Sequence, residues 1–244
     1  MEKRLLLNNA NPFFIVSCEH ASCDIPAAYG VGIPPRHAPD HTAFDIGAEA
    51  YAKELAQALT APLFCAKISR LLIDCNRSLS HPHVFGRALR AAPVPLKQQL
   101  IDNYYLPYRQ KIENAIVQAQ QESRPVVHLA AHSFTPVLKG VTRRADIGLL
   151  YDPQRQNEKH FALRWQAMLK HSAPHLRVRR NYPYRGVSDS LTTALRRRYD
   201  ERDYLGFEIE INQALFDQAP RSIRKFRKWF VAITREVFTP SLLE

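Results

Sequence analysis

Long apolar runs are missing from this 244-residue chain. No stretch approaches the ~18 consecutive apolar residues that a membrane span needs. The run Leu5-Leu6-Leu7 behind Met1–Arg4 is too short for a secretory signal. Cysteine is scarce: Cys18, Cys23, Cys65 and Cys75 show no C-x-x-C spacing, and three lie in or beside expected strands. That pattern indicates core thiols in a reducing compartment. A soluble, cytoplasmic protein is expected. Internal repeats, low-complexity tracts and domain linkers are absent too, so residues 1–244 are read as a single domain.

Acidic residues are in deficit. Lys and Arg number 34 against 23 Asp and Glu, giving a net charge of +11. Such a balance invites a nucleic-acid partner. Against it, Arg196–Arg198 and the Arg221–Lys228 cluster fall in helix-like segments, where charge makes a solvated face, and aromatic residues that stack on bases are sparsely interleaved. An anionic small substrate accounts for the charge equally well. The hydrophobic content of 45% supports a real core.

What is present is a set of strand-like runs that end in chemistry. Phe13-Phe14-Ile15-Val16 reads as a buried strand running into Ser17-Cys18-Glu19-His20-Ala21-Ser22. An imidazole beside a carboxylate at a strand end can hold a metal, move a proton, or simply hydrogen-bond its own loop. Pro125–Pro136 repeats the theme, with His128 inside the run as a core histidine and His132 at its end. Two histidines at the carboxyl ends of parallel strands can converge on one ion, and imidazole suits zinc.

Other segments supply partners. A proline-rich loop over Ile25–Pro39 leads to a helix over His41–Thr60, with Asp45 in its first turns, where a carboxylate suits either the helix dipole or a ligand role. After a strand at Leu63–Ala66, Ser69–Ser78 reads as a buried strand with Arg70 and Arg77 at its ends. Asn76-Arg77 makes an anion-recognition pair, and a structural Arg70–Asp74 salt bridge competes for Arg70. Pro95–Gln121 has helical spacing, kinked or divided at Pro107. Arg143 and Arg144 precede a strand at Ile147–Tyr151; a helix near 157–171 and a strand near 176–180 follow. In Leu205–Ile211, Glu208 and Glu210 share one face and Phe207, Ile209 and Ile211 the other. Acids on such a face are costly unless paired, metal-bound or solvent-lined. An amphipathic helix over 222–237 closes the chain. Strands alternating with helices imply a mainly parallel sheet covered on both faces.

With these pieces in order, the chain resembles the N-formylglutamate amidohydrolase family. The matching segments are SCEHAS (17–22), FDIGA (44–48), SRLLIDCNR (69–77), AHSFTP (131–136) and EIEINQ (208–213). The resemblance implies an α/β, phosphorylase/hydrolase-like three-layer fold with a mainly parallel, mixed central sheet. It implies relation to zinc carboxypeptidases and aspartoacylases, and metal-assisted hydrolysis of the amide of a small N-acyl acidic amino acid. Those relatives take two ligands from H-x-x-E, but the third residue after His20 is Cys23. The carboxylate ligand must come from elsewhere, Asp45 first and Glu19 second. The implied site is one Zn2+ on His20, Asp45 and His132, with Glu210 as general base. Arg77 is implied as catalytic beside Glu210 and, with Asn76, as a substrate contact, with Arg70, Arg143 and Arg144 as further anion contacts. A peptidase or deacylase on another acidic amide, and a non-catalytic nucleic-acid binder on the same scaffold, are the rival readings.

Overall fold

The computed structural model describes residues 11–29 and 42–238. The expectations for Met1–Leu7, and most of those for the loop Ile25–Pro39, lie outside these residues. Six strands form the central sheet: β1 (Phe13–Cys18), β2 (Leu63–Cys65), β3 (Val126–Phe134), β6 (Ile147–Leu150), β7 (Val178–Arg180) and β8 (Tyr204–Asn212). Their order is β2-β1-β3-β8-β6-β7. Every neighbouring pair is parallel except β6 against β8, so the sheet is mainly parallel and mixed. A small antiparallel hairpin, β4 (Val137–Leu138) with β5 (Val141–Thr142), leaves the end of β3.

Alternation along β3 and β8 decides which face each side chain serves. Val127, Leu129 and Ala131 with Leu205, Phe207, Ile209 and Ile211 bury against α1 (Ala48–Leu59), α4 (Gln156–Ser172) and α6 (Pro220–Phe238). Trp165, Phe230 and Phe238 interlock in that layer, ring against ring. The opposite face starts apolar: Val126, Ile15 and Tyr204 pack under α3 (Leu106–Gln121) and α5 (Leu191–Arg198). Towards the carboxyl ends of the strands the same face turns polar, through Glu208, His132 and Glu210. The two acids therefore share one face, as the alternation required.

The expected helix over 41–60 begins later, at Ala48, because Gly47 adopts φ +79° and cannot belong to it. Asp45 consequently lies in the turn ahead of α1, not in its first turns. The expected strand over Ser69–Ser78 is not one. Its single sheet-like contact is an isolated bridge between Ile73 and Phe85. Leu72 and Ile73 are buried instead in a side layer with Leu89, Leu100 and Tyr105. A short apolar run satisfies burial equally well as a strand or as a folded-back turn, and periodicity does not separate them. The long helical run is divided just ahead of Pro107, as expected: α2 (Val94–Leu100) passes through a π-helical turn, Ile101–Tyr105, into α3, whose first turn holds the proline. A π turn absorbs the missing N–H and the bulk of the ring.

Beneath the polar region, β1, β3 and β8 are tied by a buried chain. Ser17 Oγ hydrogen-bonds with His128 Nε2 at 2.7 Å, and His128 Nδ1 with Tyr204 Oη at 2.7 Å. Burial pushes the His128 imidazole down to about 4. Its neutral form is thus favoured in the fold, and its contribution is complete above the unfolded value near 6.5. That contribution is lost as pH falls from 6.5 to 4, and amounts to about 3 kcal/mol. Expected outcome: in pH-titrated NMR the His128 ring stays neutral at pH 5. Protonation with a midpoint above 6 would refute this account of the buried chain.

Candidate active site

The cavity opens at the carboxyl ends of β1, β3 and β8 and encloses about 250 Å³. That is below the ~300–1,000 Å³ typical of sites for drug-sized ligands, so the occupant is small. His20 enters from the turn after β1, His132 from β3, and Asp45 from the turn ahead of α1. Each of the three offers a ligand atom, and these atoms lie within 4.8 Å of one another.

Asp45 is the hub. Its Oδ2 lies 3.0 Å from His132 Nδ1 and 3.3 Å from His20 Nδ1, while Arg70 Nη2 lies 2.9 Å from Oδ1. The turn carrying it is stitched down on all sides. Asp45 N donates to His20 O at 2.9 Å, Ser133 Oγ to Ile46 O at 2.7 Å, and Ser69 Oγ to Ala43 O at 3.0 Å. Gly47 completes the arrangement, since a Cβ there would meet the Phe216 ring at 2.5 Å.

The outer nitrogens of both imidazoles face carboxylates. His20 Nε2 lies 2.7 Å from Asp74 Oδ1, and His132 Nε2 lies 3.1 Å from Glu19 Oε2. Glu19 is in turn held by the Tyr108 hydroxyl, which donates to Oε1 at 2.8 Å from α3. Arg70 Nη1 lies 3.2 Å from His20 Nδ1. The outer nitrogen of His20 thus meets an acceptor, while its inner Nδ1 lies between the Arg70 donor and the Asp45 carboxylate.

The charges shift these groups strongly. Burial works against ionisation throughout, but the hydrogen bond and charge of His132 hold Glu19 down at about 2. Asp45 is held well below the usual carboxylate range by the Arg70 charge and both histidines, and Asp74 is lowered by His20. Burial lowers the two imidazoles; against it, Asp74 and Asp45 raise His20, while Asp45 and Glu19 raise His132. Glu210 moves the other way. Burial, opposed by His132 and reinforced by Asp45 and Glu208, pushes it up to about 8. Its Oε2 is buried and has no hydrogen-bond partner among the described residues.

Of the expected anion contacts, Asn76, Arg77, Arg70 and Arg143 line the cavity. Asn76 Oδ1 accepts from Leu191 N at 2.8 Å, the first residue of α5. Arg77 Nη1 donates to Asp189 O at 2.6 Å, and Tyr105 Oη to Arg77 O at 2.7 Å. Arg70 pairs with Asp45, and Asp74 takes His20 as its partner in place of the expected Arg70–Asp74 bridge. Arg144, also expected there, lies exposed with its N–H bonded to Tyr182 Oη and does not line the cavity. Burial pushes the Cys18 thiol well up, on the sheet face away from the site, which removes it as a nucleophile.

Sequence reasoning left Asp74 as a salt-bridge partner and Glu19 as a second-choice ligand, and missed both as supports of the histidines. Tyr108, Thr192 and Asp189 were missed as well. Thr192 Oγ1 donates to Glu208 Oε1 at 2.6 Å. For Glu19 alone a local signal existed, its adjacency to His20; the others come from distant helices and loops.

Two imidazoles, a bridging carboxylate and a buried acid at the carboxyl ends of an α/β sheet equip this small cavity for metal binding and proton transfer. The sequence model of the N-formylglutamate amidohydrolase family matches residues 13–216, and the chain belongs to that family. Among solved structures, it is similar to a gene product of Agrobacterium tumefaciens, with TM-score 0.79 and 27% identity, covering 93% of this chain and 91% of that one. It also shares the fold of an N-formylglutamate amidohydrolase from Ralstonia eutropha JMP134, with TM-score 0.64, 18% identity, and coverage of 96% and 95%. A search of curated proteins returns no match.

Expected outcome for the support of Asp45: Gly47→Ala strains φ and presses on Phe216, lowering stability by about 1–3 kcal/mol. Thermal unfolding checks this, and an unchanged midpoint would show that the turn has room to adapt.

Proposed function

We propose that this chain is a metal-dependent amidohydrolase that cleaves a small N-acyl acidic amino acid, with N-formyl-L-glutamate as the substrate its family indicates. The observation that carries the proposal is the meeting of His20, Asp45 and His132 beside Glu210 in one cavity. The donor set fits a divalent metal. Two imidazole nitrogens and one carboxylate face inward, and the outer nitrogens are backed by Asp74 and Glu19, the carboxylate–histidine arrangement that fixes ligand tautomers. Three ligands and this donor chemistry suit catalytic zinc. When bound, such an ion supplies Lewis acidity to the scissile carbonyl, acidifies water, and by its charge draws the Glu210 carboxyl back towards ionisation.

In this reading Glu210 takes a proton from the attacking water and delivers it to the leaving nitrogen as the C–N bond breaks. A formyl substrate then yields formate and the free amino acid. Arg77 and the amide of Asn76 hold the α-carboxylate, and Arg70 keeps Asp45 ionised and in place. We take residues 1–244 as one hydrolase domain. No described helix is long and apolar enough to cross a membrane, and four free cysteines fit the reducing cytoplasm.

The first test is elemental analysis of the purified protein. About one metal ion per chain is expected, lost in His20→Ala and His132→Ala. A protein that neither holds nor takes up a divalent metal would remove the proposal. Glu210→Gln is expected to keep the metal while turnover drops about 10²–10⁴-fold; near-normal turnover would dismiss Glu210 as the base. Glu19→Gln and Asp74→Asn are expected to weaken metal affinity by about 10- to 100-fold, read by competition with a chelating dye. A panel of N-formyl and N-acetyl derivatives of acidic amino acids separates the formyl reading from a deacylase on another acidic amide.

A further inference from the structure

Arg143 is nine-tenths buried, lines the cavity, and forms no ion pair with a carboxylate among the described residues. Its guanidinium is held by aromatic rings: 5.8 Å from the Phe134 centroid, 5.1 Å from the Tyr184 centroid, with Nη2 donating to Tyr184 Oη at 3.1 Å. Backbone fixes it too, through Arg143 N to Pro136 O at 2.8 Å. A buried guanidinium without a counter-charge is costly. Rings orient it without neutralising it, so it remains available to an anion.

Its position fits one part of a substrate. Phe134 follows His132 by two residues on the same face of β3, so this wall of the Arg143 clamp is attached about 7 Å further along the strand than the His132–Glu210 level. That is of the order of the span from the amide to the side-chain carboxylate of a glutamyl group. Asn76 and Arg77 approach from a different element, the folded-back segment after Ile73. The turn presenting Tyr184 is itself tied down: Asn181 Oδ1 accepts from both Tyr151 N and Gly186 N at 3.1 Å.

We propose that Arg143, clamped between Phe134 and Tyr184, is the specificity-determining residue that receives the second, side-chain carboxylate of a dicarboxylic substrate. The inference rests on the amidohydrolase reading of the cavity but assigns a residue which that reading leaves without a role. A planar guanidinium set in place by stacking offers a bidentate fork, which lysine does not reproduce.

The test compares N-formyl-L-glutamate with N-formyl-L-glutamine, an isostere without the side-chain charge, in the wild type, Arg143→Lys and Arg143→Met. Calorimetric titration of each protein with glutarate and with glutaramate runs beside it. The wild type is expected to prefer the dianion in kcat/KM by about 10- to 100-fold, and that ratio to collapse towards one in Arg143→Met. Arg143→Lys, which retains the charge, covers any folding defect in the methionine variant and is expected to keep only part of the ratio. Glutarate is expected to lose affinity with Arg143→Met while glutaramate does not. An unchanged preference in both variants would overturn the assignment, as would equal losses for both substrates and both ligands. If the wild type hydrolyses neither formyl compound, the amidohydrolase reading fails alone, and Arg143-dependent preference for glutarate over glutaramate still decides the assignment.

Discussion

The site depends on one carboxylate. Asp45 touches an imidazole from β1's end, an imidazole from β3 and a guanidinium from the folded-back segment, all at 3.3 Å or less. Without its charge, two buried histidines and Arg70 would repel one another in a region where little water screens them. The cost of burying Asp45 is thus offset by three partners, and the partners become tolerable only through Asp45. This mutual requirement explains why so much backbone is committed to the 42–47 turn, including a glycine that admits no side chain.

The sheet prepares this cluster by changing character along one face. At the amino ends, Val126 and Tyr204 sit in an apolar layer; midway, Ser17, His128 and Tyr204 form a closed neutral hydrogen-bond chain; at the carboxyl ends the groups are charged. The neutral chain marks the boundary. His128 has both ring nitrogens satisfied and is pushed towards neutrality, whereas His132, four residues on, is bracketed by two carboxylates and pushed towards its charged form. The same residue type serves structure at one position and chemistry at the other, and partners decide which.

Much of this was legible in the sequence where it followed from periodicity. The period-two pattern of Leu205–Ile211 put Glu208 and Glu210 on one face, and the apolar runs before His20 and His132 placed both histidines at the cavity. The failures share a physical cause. Leu71-Leu72-Ile73 is apolar enough for a strand, but it buries against Leu89, Leu100 and Tyr105, an alternative that depends on a helix about 30 residues away. The roles of Tyr108, Asp74 and Thr192 are set by tertiary approach, which no local pattern encodes. Between Arg143 and Arg144 the sequence offered no choice at all. The hairpin turns one guanidinium inward beneath Tyr184 and the other to solvent.

Charge balance links the metal reading to the acidic substrate. The cavity is lined by five carboxylates (Asp45, Asp74, Asp189, Glu208 and Glu210) against four arginines (Arg70, Arg77, Arg143 and Arg185), with His20 and His132 beside them. Arg70 is already matched by Asp45, and Arg77 has Asp74 within 3.9 Å. With Glu210 held protonated by its burial and both histidines neutral, the four remaining carboxylates balance the four arginines. A dianionic ligand would then meet no net positive charge, and the overall +11 of the chain is too screened to supply it at this range. On the proposed reading, a divalent cation on His20, Asp45 and His132 would make the local charge positive without protonating the histidines, leaving their inner nitrogens as ligands. On the same reading, Arg143 adds a directed contact to the substrate from outside the ligand set. On this argument substrate affinity and metal occupancy are thermodynamically linked: an acidic substrate strengthens metal retention by the same factor as the metal strengthens substrate binding. A neutral amide analogue, which meets less of the field, carries a smaller share of that coupling.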